Sequence, residues 1–228
     1  IEIVRQVIAR EGPLTHEGFH YRIPNNDKCT TGLGKPLKSI VHGDPSLKIV
    51  TGTMTPSGVR LSAEIADGML LAFMKPDRFD IFEEPLREGF AKAGGGKSLA
   101  YFNIIPYVVM SAGADINSCR QLVRERLALY VGGMGAHDKN FYNDYVHSIG
   151  YQAAAKKIQK LYLSGRHRDA ANAVPDALVD DLALVGPREK IAEQLGRWEF
   201  AATNRHISAM AVTAPTIDDV ELLADLVL

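Results

Sequence analysis

The chain has 228 residues, 46% of them hydrophobic and 23% charged. That length and balance suffice to bury a core, and they exclude a disordered tail, a collagen-like repeat and a coiled coil. Lysine and arginine number 26 against 27 acids, a formal net charge of -1, so charge makes no case for nucleic acid or an anionic membrane as partner.

Cys29 and Cys119 are the only cysteines. They form no C-x-x-C pair and no disulfide framework, which makes a reducing cytoplasm the expected compartment. No apolar run approaches the roughly 20 residues of a membrane-spanning helix. The opening residues show no basic n-region, apolar h-region or cleavage site, so no signal peptide is expected there. Ile1 already stands inside a helical pattern, so the fold is expected to begin part-way through.

Apolar residues at Ile1, Ile3, Val4, Val7 and Ile8 predict a helix over Ile1–Arg10, closed by Gly12 and Pro13. Leu14 to Pro24 reads as a turn and short strand around Gly18, and 25–46 as a long loop. Lys48–Thr53 predicts a strand. Thr55-Pro56-Ser57 opens a helix, with threonine as N-cap and proline in the first helical position. Val59, Ser62, Ala63 and Ala66 form its buried stripe.

Met69–Met74 is a continuous apolar strand. Pro76–Ala93 is a helix with Phe79, Phe82, Leu86 and Phe90 on one face. Phe102–Met110 is a strand and Ile116–Val131 a long amphipathic helix. Phe141–Ile149, Ala153–Leu163 and Asp169–Val174 read as successive helices, and Leu178–Val185 as apolar and acidic by turns. Arg188–Ala202 is a helix, Ile207–Val212 the last strand, and Thr216 the N-cap of a final helix.

Strands that alternate with helices and are apolar on both faces predict a parallel α/β architecture. Four strand–helix units suit a partial (β/α)8 TIM barrel, with a helical excursion at 138–200 before the last strand. The chain reads as a single domain over 1–228. Open parallel edges invite self-pairing, so a homo-oligomer is among the expected states.

Gly94-Gly-Gly-Lys-Ser98 resembles the end of a phosphate-binding P-loop. It fails because Ala91 stands where the first glycine belongs, and because a helix precedes it and a strand follows. The seven histidines show no metal-ligand spacing, so no metal is expected. Lys156, Lys157, Lys160, Arg166 and Arg168 read as a solvated helix face.

The informative segment is Thr51 to Gly58, at the C-terminal end of a strand and the start of a helix. In a parallel barrel that rim is where ligands bind. Gly52 and Gly58 allow close backbone approach. Free N–H groups with the hydroxyls of Thr53, Thr55 and Ser57 suit a phosphate. A well-capped turn is the alternative.

Several segments together resemble luciferase-like monooxygenases, in their deazaflavin-dependent oxidoreductase branch. They are Glu2–Ile8, Leu14–Tyr21, Thr31-Gly-Leu-Gly-Lys-Pro-Leu-Lys38, Gly52-Thr-Met-Thr-Pro56, Ala63-Glu-Ile-Ala-Asp-Gly68, Asn140–Asp144, Ile158–Gly165 and Val174–Gly186. Their order and spacing carry the likeness over nearly the whole chain. The resemblance implies a (β/α)8 barrel of which this chain is the last two-thirds, and an enzyme that moves a hydride between coenzyme F-420 and a small organic substrate. An FMN-dependent monooxygenase using oxygen, or a truncated interaction module without catalysis, are the alternatives.

On this reading Gly52, Thr53, Met54, Thr55, Ser57 and Gly58 contact the cofactor. Phe73, Met74 and Met110 line a substrate pocket or, alternatively, belong to the barrel core. Lys35 and Lys38, with Arg60, are expected near an acidic cofactor tail. No catalytic acid or base is named, because the resemblance places those in the first four strands. One departure stands out: Ala201-Ala-Thr-Asn-Arg205 lacks the glycine that relatives carry before the last strand, which leaves that strand's register open.

Overall fold

A computed structural model describes residues 1–25, 27, 30, 39–40 and 42–228. The expectations placed on Cys29 and on Thr31–Lys38, with Lys35, Pro36 and Lys38, lie outside the described residues. The chain divides into two compact units, residues 1–49 and 50–228.

In the first unit the apolar spacing after Ile1 folds as helix α1 (Glu2–Ala9). It stops at Arg10, whose φ of 53° is left-handed and whose amide donates to the Gln6 carbonyl. Strands β1 (His16–Glu17) and β2 (Arg22–Ile23) form an antiparallel hairpin, with His16 opposite Ile23.

The second unit runs β3 (Val50–Gly52), α2 (Pro56–Ile65), β4 (Gly68–Leu71), α3 (Asp80–Ala93), β5 (Asn103–Ala112), α4 (Ile116–Gly133), α5 (Phe141–Ser148) and α6 (Gln152–Leu163). It continues through α7 (His167–Asn172), α8 (Asp176–Leu182), β6 (Ala183–Gly186), α9 (Arg188–Thr203), β7 (Ala211–Thr213) and α10 (Ile217–Val227). Every strand pair in its sheet is parallel. This is the α/β class expected, a partial barrel sheet with helices between its strands.

The sheet has five strands in the order β3-β4-β5-β6, with β7 also on β5. Reading the sequence predicts four. The extra strand, β6, lies inside the stretch 138–200, which also carries α5 to α8 and most of α9. All four residues of β6 are buried, and α8 leads into it without a turn residue. A short run buried on both faces shows no alternation and is indistinguishable from helix by pattern.

Strand β5 is ten residues long and organises the sheet. Its first half pairs with β4, from Gly68 opposite Asn103 to Leu71 opposite Pro106. Its second half pairs with β6, and its middle with β7. Val109 is partnered by both Ala183 and Thr213, so β6 and β7 flank β5 on opposite edges there. The core follows from this layering. Met69, Leu71, Ile104, Val108 and Met110 from the strands meet Val59, Phe82, Leu86, Val123 and Leu127 from the helices.

Helices α2 and α3 pack with very little between them. The stripe Val59, Ser62 and Ala63 is buried, as expected. Opposite it stands Gly89 of α3: a Cβ there would overlap the Arg60 carbonyl and the Ala63 methyl. The close approach requires glycine.

The turn before the last strand survives the loss of its glycine. Arg205 takes φ 58°, and the amides of Arg205 and His206 donate to the carbonyls of Ala202 and Ala201. Arginine thus holds the left-handed conformation a glycine would adopt without penalty. The register left open in the sequence reading is Tyr107 opposite Ala211. Among the described residues no helix is long and apolar enough to cross a membrane.

Candidate functional site

A cleft of about 520 Å³ opens at the C-terminal ends of the strands. Gly52, Thr53, Met54 and Thr55 enter it from the end of β3, Leu70 from β4, and Ala72 and Phe73 from the segment just after β4. Strand β5 adds Tyr107, α4 adds Arg126 and Tyr130, and α5 adds Phe141 and Tyr142.

The β3 end is shaped by capping. The Thr55 hydroxyl accepts from the Gly58 amide at 3.1 Å and starts α2. Thr53 donates its amide to the Leu70 carbonyl at 3.1 Å. The amides of Met54, Thr55 and Ser57 find no protein acceptor among the described residues. A side chain at Gly58 would overlap the Thr53 hydroxyl, so this glycine keeps Thr53 in its place. Nothing stands within 4 Å of where a Cβ of Gly52 would lie.

The cleft wall is aromatic. Phe73 meets Tyr130 and Tyr142 edge-on, with ring centroids 5.5 and 5.7 Å apart, and the two tyrosines meet each other at 4.8 Å. Burial, helped by the neighbouring Tyr130, pushes the Tyr142 phenol up. Arg126 lies over Tyr107 at 5.0 Å and over Tyr130 at 5.4 Å. The Thr213 hydroxyl and then Arg126 hold the Tyr107 phenol below its ordinary value, against the effect of burial.

The residues predicted for cofactor contact therefore divide. Gly52, Thr53, Met54 and Thr55 line the cleft; Ser57 and Gly58 stand behind it in the first turn of α2. Phe73 lines it, whereas Met74 and Met110 are buried at 1% and 0% in the core and do not line it. Arg60 pairs with Glu88 on α3. The basic run along α6 and α7 is exposed and contributes nothing to the cleft. Among the described residues no group of three or more His, Cys, Asp or Glu gathers as a metal site.

The sequence reading did not single out Tyr107, Arg126, Tyr130, Phe141 or Tyr142. They come from three separate elements and meet only in the fold. Arg126 and Tyr130 are four apart on α4, a spacing that places them side by side, and that signal was available.

A second concentration of charge lies outside the cleft. Asp181 accepts from Lys75 at 2.8 Å, from the Tyr151 hydroxyl at 2.6 Å and from Arg197 at 3.0 Å. Burial raises the Asp181 carboxyl, but these three donors outweigh it and hold it below the usual range. The cluster ties α8 to α9 and to the segment after β4, where the Lys75 amide donates to the buried Tyr145 hydroxyl at 2.9 Å.

Residues 1–205 match the family model described as luciferase-like monooxygenase. The chain belongs to that family. It is 40% identical over all 228 residues to a protein of Mycobacterium tuberculosis provisionally named a coenzyme F-420-dependent oxidoreductase. It is 22% identical over 178 residues to the 5,10-methylenetetrahydromethanopterin reductase of Archaeoglobus fulgidus. The chain spans 65% of the first relative's length and 52% of the second's. Among solved structures, the coenzyme F-420-dependent tetrahydromethanopterin reductase of Methanopyrus kandleri superposes with a TM-score of 0.71 at 20% identity. That match covers 99% of this chain and 60% of the reductase. The likeness shows that this luciferase-like chain shares the fold of the corresponding part of that reductase.

Proposed function

We propose that this luciferase-like chain belongs to a cytoplasmic, deazaflavin-dependent oxidoreductase that moves a hydride between coenzyme F-420 and a small organic substrate. The observation that carries the proposal is the 40% identity to the mycobacterial protein named for that cofactor, spread over the whole chain.

The residues present fit the group. The hydroxyls of Thr53 and Thr55, with the amides of Met54, Thr55 and Ser57, would hold its phosphate at the start of α2. Gly58 serves by leaving room for Thr53. Phe73, Tyr130 and Tyr142, packed edge to face, give an aromatic wall that would pack against a ring system and exclude water. The deazaflavin supplies the hydride chemistry when bound; the protein supplies binding, orientation and a dry surface.

The test is a pair of titrations on the full-length protein, with coenzyme F-420 and with FMN, followed by fluorescence quenching at low and high salt. The deazaflavin is expected to bind more tightly, and the preference to shrink at high salt as exposed charge contacts are screened. FMN binding that is equal or tighter at low salt overturns the assignment in favour of a flavin-dependent monooxygenase.

A further inference from the structure

Arg126 stands apart from the other cations around it. Arg120 and Arg124 on the same helix pair with Asp176 and Asp180. Lys75 and Arg197 share Asp181. Arg126 has no carboxylate partner among the described residues, and its Nε–H is buried without an acceptor. Its neighbours are the rings of Tyr107 and Tyr130 and the Tyr107 hydroxyl, a neutral partner that leaves its charge unmatched. Among the described residues it is also the only charged side chain lining the cleft.

This arrangement is costly unless something completes it. A cation taken partly out of water loses hydration that ring faces replace only in part. The same enclosure strengthens any charge that later arrives, because a low-dielectric wall screens less than water. An arginine presents a planar fork of donors that matches a carboxylate or a phosphate in two parallel bonds. The rings on its flanks restrict how it swings, so little order is lost when an anion binds.

We propose that Arg126 is the anion-recognising residue of the cleft and takes an oxyanion group, carboxylate or phosphate, of the molecule bound there. This rests on the reading of the cleft as the ligand site and extends it to the ligand's charge. The oxyanion has two sources, the deazaflavin's own acidic groups or an acidic substrate beside it. Arg126 lies on α4, whereas the hydroxyls that suit the cofactor's phosphate lie at the end of β3, so two elements bring anion-binding groups to the one cleft.

The experiment uses the full-length protein with 13C-labelled tyrosine rings, as wild type, Arg126→Met and Arg126→Gln. Inorganic phosphate, acetate and coenzyme F-420 are titrated separately while the Tyr107 and Tyr130 resonances are followed. Phosphate and acetate are expected to shift both resonances in wild type, with affinity falling at least tenfold in whichever variant keeps its fold. A matching tenfold loss for coenzyme F-420 assigns the oxyanion to the cofactor; an unchanged affinity assigns it to the substrate. Wild type and a folded variant that bind phosphate and acetate equally overturn the proposal. If wild type binds the simple anions through Arg126 but not coenzyme F-420, the cofactor assignment falls and the anion site stands.

Discussion

Two glycines in helices offer a sharp test of how α2 and α3 are held together. Gly89→Ala replaces hydrogen by methyl in α3. By helix propensity alone that gains about 1 kcal/mol. In the fold, however, the new carbon would overlap the Arg60 carbonyl and the Ala63 methyl. Neither obstacle swings away by a rotamer change, because one is backbone and the other is the stub of a fully buried residue. The helices must separate, and overpacking of this kind costs about 1–3 kcal/mol. With backbone as the obstacle we take the upper end, leaving Gly89→Ala about 2 kcal/mol less stable than wild type after the propensity gain.

Gly196→Ala in α9 is the control, since nothing lies within 4 Å of its Cβ position. It should gain about 0.5–1 kcal/mol. The same chemical change thus gives opposite signs, separated by about 3 kcal/mol. Urea denaturation midpoints with unchanged slope read the difference, and thermal midpoints should differ by about 2–4 °C per kcal/mol in a chain of this size. Gly89→Ala at or above wild-type stability would show that the helices are not in the contact described.

Three further outcomes are expected. Asp181→Asn should cost about 3 kcal/mol at neutral pH, because Lys75 and Arg197 lose a largely enclosed partner. The Asp181 carboxyl is held below its ordinary value in the fold, so its contribution is complete above the ordinary carboxylate range and lost as pH falls through the depressed value. Denaturation midpoints of wild type and variant should therefore converge in acid, and a constant gap down to pH 2 contradicts this. Arg205→Gly should raise stability by about 0.5 kcal/mol, the left-handed penalty removed less the entropy that glycine adds; a lowered melting temperature speaks against a strained turn. Gly58→Glu in the full-length protein should weaken cofactor binding at least tenfold, about 1.4 kcal/mol, by displacing Thr53 and adding negative charge, and unchanged affinity in a folded variant removes this loop from the site.

Much of the fold is legible in the residues themselves, for identifiable reasons. Thr55-Pro56 announces α2 because a hydroxyl cap and a fixed φ act locally, and the cap bond to Gly58 is present. Thr216 and Asp219 likewise form a reciprocal capping box at α10. What escapes the eye depends on tertiary context. Ala183–Gly186 becomes a strand only because β5 offers it an edge, and its four residues carry no period of their own. The far end of Met69–Met74 leaves the sheet after Leu71 although its apolar run continues. Hence Phe73 faces the cleft while Met74 fills the core. The Gly52–Thr55 half of the cleft is readable because strand end and helix start adjoin in the chain. The aromatic half is not, since Tyr107, Tyr130 and Tyr142 are brought together by packing alone.

The three-sided role of β5 has a consequence for how the chain emerges from the ribosome. Strands β3, β4 and β5 pair with near neighbours and are free to assemble as soon as they are made. The second half of β5 must wait for β6, which appears only after α4 to α8, and for β7 later still. Until then a ten-residue apolar strand has an unfilled edge, the template on which nascent chains stick to one another. Slowing synthesis before Ala183 should therefore raise aggregation of newly made chains more than slowing it after Thr213.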